Sequence, residues 1–364
     1  VTGSPTVLHV VESFGGGVAT ALSQYCAATP GFRHHLLRTE RVGDFIDSGE
    51  TEHFESVSDL DTSPLSAIVA IRRSVRVLRP DVIHAHSSIA GLYVRLCVKA
   101  SPAHPIVYTP HGYAMERQDV SPATRALFGL VEKMLARNTT VYAACSPREH
   151  EISRSIGRSK DVFYVPNVAP AVGADLAYPK GTGCANHFLV VATGRLTAAR
   201  DPYYFAAVVR AVKLAAPDVT FKWIGGGEPR YVDELVELGV EVTGWLPRKE
   251  ALQLLSEADL LIHTAAWDGF PMVLLEANRL RVPSYVRDIP AFATVPRCLV
   301  GRTEDQFARN VTTMANDPHQ RKKALEQWDA FLSFNTTAEQ SERLSAAYYA
   351  SMEFPQRIPR PRSL

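Results

Sequence analysis

The chain predicts an α/β protein of two domains, each built on a parallel sheet with helices between its strands. Three observations carry that expectation. The 364 residues exceed what one hydrophobic core usually organises, and at 46% hydrophobic they supply enough apolar surface for two. Short β-branched runs alternate with amphipathic segments along the first half, the rhythm of repeated β-α units. The second half repeats that rhythm after a stretch with no periodicity at all.

In the first half, residues 7–11 read as a strand and 18–28 as the helix that follows it. Residues 59–61 precede Thr62-Ser63-Pro64, a helix start before 65–78. Residues 81–86 form the next strand and 89–99 its helix, with further strands at 105–109, 141–145 and 162–165. Residues 169–185 are rich in Ala, Gly and Pro, which places an interdomain linker at 171–185 and closes a first domain at 1–170. The second domain, 186–335, opens with a strand at 187–193 and a helix near 203–215. Its further strands fall at 219–224, 240–243 and 260–263. After residue 303 the pattern is purely helical. The last helix, 336–352, has the amphipathic spacing of a segment that packs across the first domain, and the proline- and arginine-rich 353–364 reads as a flexible tail.

Charge and cysteine usage narrow the function classes. A formal charge of +1, from 39 basic and 38 acidic residues, gives no general attraction for nucleic acid. Cys26, Cys97, Cys145, Cys184 and Cys298 are odd in number, far apart and without C-x-x-C spacing, against a disulfide framework or zinc cage. No apolar run reaches the ~20 residues a transmembrane helix needs, and the first residues lack a signal-type segment. A soluble protein of a reducing, cytoplasmic compartment is the expectation.

Three segments could carry chemistry. Phe14-Gly15-Gly16-Gly17 leaves the first strand and enters a helix, so a ligand can approach the backbone and a phosphate can meet free N–H groups; an ordinary βα turn fits the same residues. Gly194-Arg195-Leu196-Thr197-Ala198-Ala199-Arg200 leaves the first strand of the second half. Two guanidiniums there can hold a diphosphate and stabilise the charge that grows as a nucleotide departs, although two loop arginines alone are more often solvated. Trp267-Asp268-Gly269-Phe270-Pro271-Met272 follows the 260–263 strand. Pro271 suits the first helical position, which puts Asp268 in the loop and Glu276 inside the helix as two acceptors for sugar and ribose hydroxyls; a cap and a solvated helix residue are the plainer reading.

Two metal-like patterns compete less well. Asp59-Leu60-Asp61 matches a D-x-D motif, but its setting is a helix start. His84 and His86 share one face of a strand with no evident third ligand, so polar lining of the cleft is the expectation for them.

Taken in order, the glycine turn, Thr109-Pro110-His111-Gly112, Val165-Pro166-Asn167, Gly194-Arg195-Leu196, Gly225-Gly226-Gly227 and the segment from Asp268 to Glu276 resemble the family 4 glycosyltransferases of the GT-B fold. The resemblance covers almost the whole chain and is strongest between Gly194 and Glu276. It implies two Rossmann-like domains facing each other across a cleft, with the C-terminal helix crossing back. It also implies a nucleotide-diphosphate-sugar donor, UDP- or GDP- or another, held mainly by the second domain. Arg195 and Arg200 would bind the diphosphate and Glu276 the ribose. Asp268, with the backbone of Gly269, Phe270 and Pro271, would bind the donor sugar, Gly226 would belong to the donor-binding lining, and the Gly244-Trp245-Leu246 segment would lie near the base. Gly16 and Gly17 would close from the first domain, and His111 would touch the sugar or the reacting face. The family retains anomeric configuration without an obligatory protein nucleophile, so no cofactor and no essential metal are expected.

Departures from the family pattern are Asp268 and Arg200, where glutamate and lysine are usual, and the run Asn278-Arg279-Leu280-Arg281, which could reshape the donor pocket or mark a degenerate site. Two other functions compete on this fold, a nucleotide-sugar epimerase and a silent nucleotide-binding scaffold. The acceptor implied is a glycan, a lipid-linked molecule or a small molecule, in polysaccharide or glycoconjugate synthesis, and the lipid-linked case raises the cytoplasmic membrane face as a location. Arg72, Arg73, Arg76 and Arg79 form a basic cluster, and 123–137 is amphipathic. That helix could rest on a bilayer, or pack on the sheet with its charges in water.

Overall fold

The computed structural model describes residues 3–40, 48–157, 160–171 and 188–353. The first domain runs β1 (Thr6–Phe14), α1 (Gly16–Ala28), β2 (Arg33–Glu40), β3 (Ser56–Asp59), α2 (Pro64–Leu78), β4 (Val82–His86), α3 (Ser88–Cys97), β5 (Ile106–Thr109), α4 (Pro122–Leu135), β6 (Val141–Ala144), α5 (Pro147–Gly157) and β7 (Asp161–Tyr164). Its seven strands lie in the order β3-β2-β1-β4-β5-β6-β7, all parallel. The second domain runs β8 (Phe188–Thr193), α6 (Pro202–Ala215), β9 (Val219–Ile224), α7 (Pro229–Glu237), β10 (Glu241–Val242), α8 (Arg248–Glu257), β11 (Leu260–His263), α9 (Met272–Arg279), β12 (Ser284–Arg287), β13 (Val300–Gly301), α10 (Glu304–Asn316) and α11 (Pro318–Phe331). Its sheet is also parallel, in the order β10-β9-β8-β11-β12-β13. A last helix, α12, spans Thr337–Met352.

Helices on both faces explain why the central strands read as continuous apolar runs. Val7, Leu8, Val10 and Val11 of β1 and Val190 and Val191 of β8 are fully enclosed. In each sheet the chain order reverses at the first strand, beside β1 and beside β8, and the crevice at the carboxyl ends of such strands is where this architecture admits ligands.

Local chemistry sets the helix starts as the sequence suggests. Ser63 accepts a hydrogen bond from the Ser66 N–H and Pro64 opens α2; Thr336 accepts from the Glu339 N–H at the start of α12. That last helix does cross back. Leu344, Ala347 and Tyr348 join Val7, Tyr25, Val82, Val107 and Val141 in one core, and Gln340 donates to the Pro166 carbonyl at 2.8 Å.

Strands β2 and β3 have no counterpart in the sequence reading, because Arg33-His34-His35 hides the apolar alternation that follows. The linker expected at 171–185, apart from residue 171, and the tail expected at 353–364, apart from residue 353, lie outside the described residues.

Candidate active site

A cleft of about 830 Å³ opens between the two sheets, lined from both domains. Its second-domain wall starts where β8 ends. Gly194 sits at φ 116°, and a Cβ there would lie 3.1 Å from the Arg200 Nε, so the glycine lets Arg200 fold across the strand end. The Arg200 guanidinium pairs with the Asp268 carboxylate, and the His263 Nε2 lies 3.2 Å from the same Asp268 oxygen. Burial by itself would raise the Asp268 pKa; the Arg200 charge and the His263 contact more than offset it and hold the carboxyl well below its ordinary value.

Arg195 stacks its guanidinium 4.9 Å from the centre of the Trp245 ring, and Trp245 and Leu246 both line the cleft. Gly225 rather than Gly226 faces the cavity. A Cβ at Gly226 would come within 3.2 Å of the Trp245 Nε1, so that residue backs the indole from behind, which corrects its expected place in the lining.

Helix α9 begins at Met272, one residue later than expected, with Pro271 as its N-cap and no side chain capping the first turn. Gly269, Phe270, Pro271 and Glu276 all line the cleft. The buried Glu276 accepts from the Arg248 guanidinium at 2.5 Å, and the other Arg248 nitrogen donates to the Thr20 hydroxyl of α1 at 2.8 Å. One arginine therefore ties the two domains across the cavity. The Thr20 hydroxyl in turn donates to Glu50 at 2.9 Å.

From the first domain, α1 presents Gly16 at φ 51° and Gly17, whose missing side chain leaves room for Met272; a Cβ would be 3.3 Å from its Cγ. His111 and Gly112 follow β5, both at positive φ. Glu149 receives the Gly112 N–H, and the Cys145 N–H at 3.0 Å. Gly112 meets Gly269 of the opposite domain so closely that a Cβ on Gly269 would stand 2.8 Å from the Gly112 nitrogen. Asn167 stitches the same junction, donating to the Phe270 carbonyl while its own carbonyl receives Asn335.

Of the expected site residues, His111, Arg195, Arg200, Asp268, Glu276, Gly16, Gly17, Trp245, Leu246, Gly269, Phe270 and Pro271 come together on the cleft, and Gly226 stands behind it. Arg248, His263, Thr20 and Glu50 were not anticipated. Only Arg248 left a trace, as a basic residue three positions after Trp245. Asp59 and Asp61 lie away from the cleft, and the atypical Asn278 to Arg281 run faces α11, where Arg281 and Asn278 both bind Asp329.

His84 and His86 are fully buried and do not line the cleft, contrary to expectation. His9, on the adjacent strand, brings one ring nitrogen within 4.8 Å of one nitrogen of each, and His9, Cys26 and His34 form a second such group. Every ring nitrogen of His9, His34, His84 and His86 already has a hydrogen-bond partner in the protein. Burial pushes His9, His84 and His86 well below the ordinary imidazole pKa, and His111 down to about 4.

Comparison with known proteins gives the family. Residues 187–317 match the family model of glycosyl transferases group 1, and residues 16–168 match that of the glycosyl transferase 4-like domain. The chain is 24% identical over 261 residues to the UDP-Gal:alpha-D-GlcNAc-diphosphoundecaprenol alpha-1,3-galactosyltransferase of Escherichia coli, covering 67% of this chain and 66% of that protein. An uncharacterized protein of the cps region of Klebsiella pneumoniae is 23% identical over 79% of this chain and 82% of its own length. Among solved structures, Anabaena HepE in complex with UDP-glucose superposes with a TM-score of 0.73 at 17% identity, over 95% of this chain and 99% of that one. At that identity the likeness speaks for the fold alone.

Proposed function

This chain belongs to the glycosyl transferases group 1, a glycosyltransferase of the GT-B fold, and from that premise we propose that it moves a sugar from a nucleoside-diphosphate donor with retention of anomeric configuration and without an essential metal. The observation that carries the reading is the convergence of Arg195, Arg200, Asp268, Glu276 and the uncapped start of α9 on one cleft. The two guanidiniums and the helix N-terminus supply the positive field that a departing diphosphate needs, the task a divalent cation performs elsewhere. Asp268 and Glu276 would receive sugar and ribose hydroxyls in exchange for part of their pairing with Arg200 and Arg248. Asp268 is held by Arg200 and His263, which supports a front-side path in which the leaving diphosphate itself takes the proton of the acceptor hydroxyl.

UDP is the first nucleotide to test, since the HepE structures hold UDP and UDP-glucose. A lipid-linked glycan is the first acceptor, from the substrate in the name of the Escherichia coli relative. Group 1 membership favours transfer over epimerisation and over a silent scaffold. The decisive assay incubates the protein with UDP-sugars and a lipid-diphosphate-linked sugar, with and without EDTA, and assigns the anomeric proton of the product by NMR. Retained configuration and full activity in EDTA are expected, with Arg195→Ala and Glu276→Ala each losing about 100-fold or more in kcat/KM while staying folded. A double variant with undiminished turnover would remove the site assignment.

Contact with a membrane face in the cytoplasm is part of the same proposal. Among the described residues no helix is long and apolar enough to cross a membrane. Leu127, Leu130 and Met134 of α4 and Leu65, Val69 and Val77 of α2 are nonetheless exposed, and α3 packs against both helices. The exposed Arg72, Arg73, Arg76 and Arg79 stand beside them and suit an anionic surface. Sedimentation with anionic vesicles at low salt should pull the protein down, and Leu127→Glu with Leu130→Glu should release it.

A further inference from the structure

Behind His111 the first domain holds a line of imidazoles that the transfer chemistry leaves unexplained. His111 Nε2 lies 3.1 Å from His86 Nδ1, His86 Nε2 lies 3.0 Å from His9 Nδ1, and His9 Nε2 lies 3.0 Å from His34 Nδ1. The line ends at Thr29, whose carbonyl and hydroxyl oxygens lie 3.1 Å and 3.2 Å from His34 Nε2.

That buried end fixes the direction of every bond in the line. The Thr29 hydroxyl spends its one proton on the Tyr25 carbonyl at 2.7 Å, so both Thr29 oxygens face His34 as acceptors. His34 Nε2 must therefore carry a hydrogen. Burial keeps these rings neutral, so each has one N–H and one bare nitrogen. His34 Nδ1 is then bare and accepts from His9 Nε2–H, His9 Nδ1 accepts from His86 Nε2–H, and His86 Nδ1 accepts from His111 Nε2–H. The remaining nitrogen, His111 Nδ1, is bare. His111 lines the cleft, and among the described residues its Nδ1 has no hydrogen-bond partner. Because the line terminates on a carbonyl, which takes no proton onward, it serves to orient rather than to conduct.

We propose that His86, His9 and His34 are positioning residues that hold His111 in one tautomer, so that the cleft meets its Nδ1 only as a hydrogen-bond acceptor for a hydroxyl of the donor sugar. The proposal rests on the reading of the cleft as the donor site. It makes the site selective for a sugar that donates at the contacted carbon: a deoxyfluoro sugar, whose fluorine can accept and cannot donate, should be discriminated against as strongly as the deoxy sugar. The buried His84, outside the line, is fixed separately by the same logic. The Thr109 hydroxyl donates to the Ala143 carbonyl and so accepts from His84 Nε2–H, leaving His84 Nδ1 to accept from the Tyr348 hydroxyl.

Long-range 1H–15N spectra of the full chain carrying 15N-histidine read the tautomers directly, with His111→Gln assigning that ring. The Nε2–H form is expected for His111, His86, His9 and His34. His34→Leu removes the anchoring acceptor and should give His111 a mixture of tautomers. It should also lower kcat/KM for the parent donor about tenfold, with little change for the deoxyfluoro donor. His34→Gln, whose amide keeps one donor and one acceptor, should restore both. A wild-type His111 that is mainly Nδ1–H would overturn the proposal, as would stoichiometric zinc by elemental analysis or an unchanged donor preference in folded His34→Leu. If His34→Leu does not fold, the wild-type spectra decide alone. They need no donor, so thermal stabilisation by UDP tests the donor site independently.

Discussion

Gly269 shows how much of this site hangs on single atoms. It needs no left-handed backbone. What it needs is space, because its α-carbon passes against Gly112 and His111 of the other domain. In Gly269→Ala the new methyl would stand 2.8 Å from the Gly112 nitrogen and 3.0 Å from the His111 carbonyl carbon, two backbone atoms that cannot swing aside. The loops must part by a fraction of an ångström. The displacement reaches His111 and Asp268 together, so kcat should fall by about 100-fold while the melting temperature changes little. Steady-state kinetics beside a thermal melt checks the pair of outcomes. Arg248 is the contrasting case at this scale: its bonds to Glu276 and Thr20 span 28 and 228 residues, beyond the reach of any local pattern.

Among the elements, α4 departs most from its sequence pattern. Its amphipathic spacing fits a helix packed on the sheet with charges in water, yet Leu127, Leu130 and Met134 face outward and Glu132 is buried. The reason lies in α3. Arg95 is enclosed there, its guanidinium 3.8 Å from the centre of the Tyr108 ring, and it donates to both Glu132 oxygens at 2.9 Å and 3.0 Å. The Tyr108 hydroxyl completes the set at 3.2 Å. A buried guanidinium without a carboxylate costs more than a few exposed leucines, so the pairing sets the rotation of the helix. Removing one partner is correspondingly expensive: Arg95→Ala should destabilise the first domain by about 3–5 kcal/mol. The loss would appear as a lowered first transition in differential scanning calorimetry, with the transition of the second domain unchanged.

Across the whole molecule, the buried histidines couple folding to pH. The unfolded chain takes up protons near the ordinary imidazole value of 6.5, whereas His9, His84 and His86 stay neutral in the folded state to much lower pH. Between those values the unfolded state binds more protons, so stability is full above about pH 6.5 and is lost as the pH falls. These three sites alone should bring a slope of about 4 kcal/mol per pH unit once they charge on unfolding, and His111 adds to it. Asp268 adds to the same trend lower down, since its depressed carboxyl contributes stability above the unfolded value of 3.8 and loses it below. Melting temperatures taken from pH 8 to pH 4 should be level at first and then drop steeply; a level profile to pH 5 would contradict the burial of these rings. The sequence by itself determined the two α/β halves, the crossing terminal helix and the motif residues that meet on the cleft. These rest on periodicity, on glycine and proline at strand ends, and on short contiguous motifs, all of which are local. Only the tertiary structure decided which charges pair, that Arg248 bridges the domains, that Gly225 rather than Gly226 faces the cavity, and that three histidines stand in line behind a fourth. Those features depend on side chains from distant strands meeting in space, where desolvation sets the partner each polar group must find.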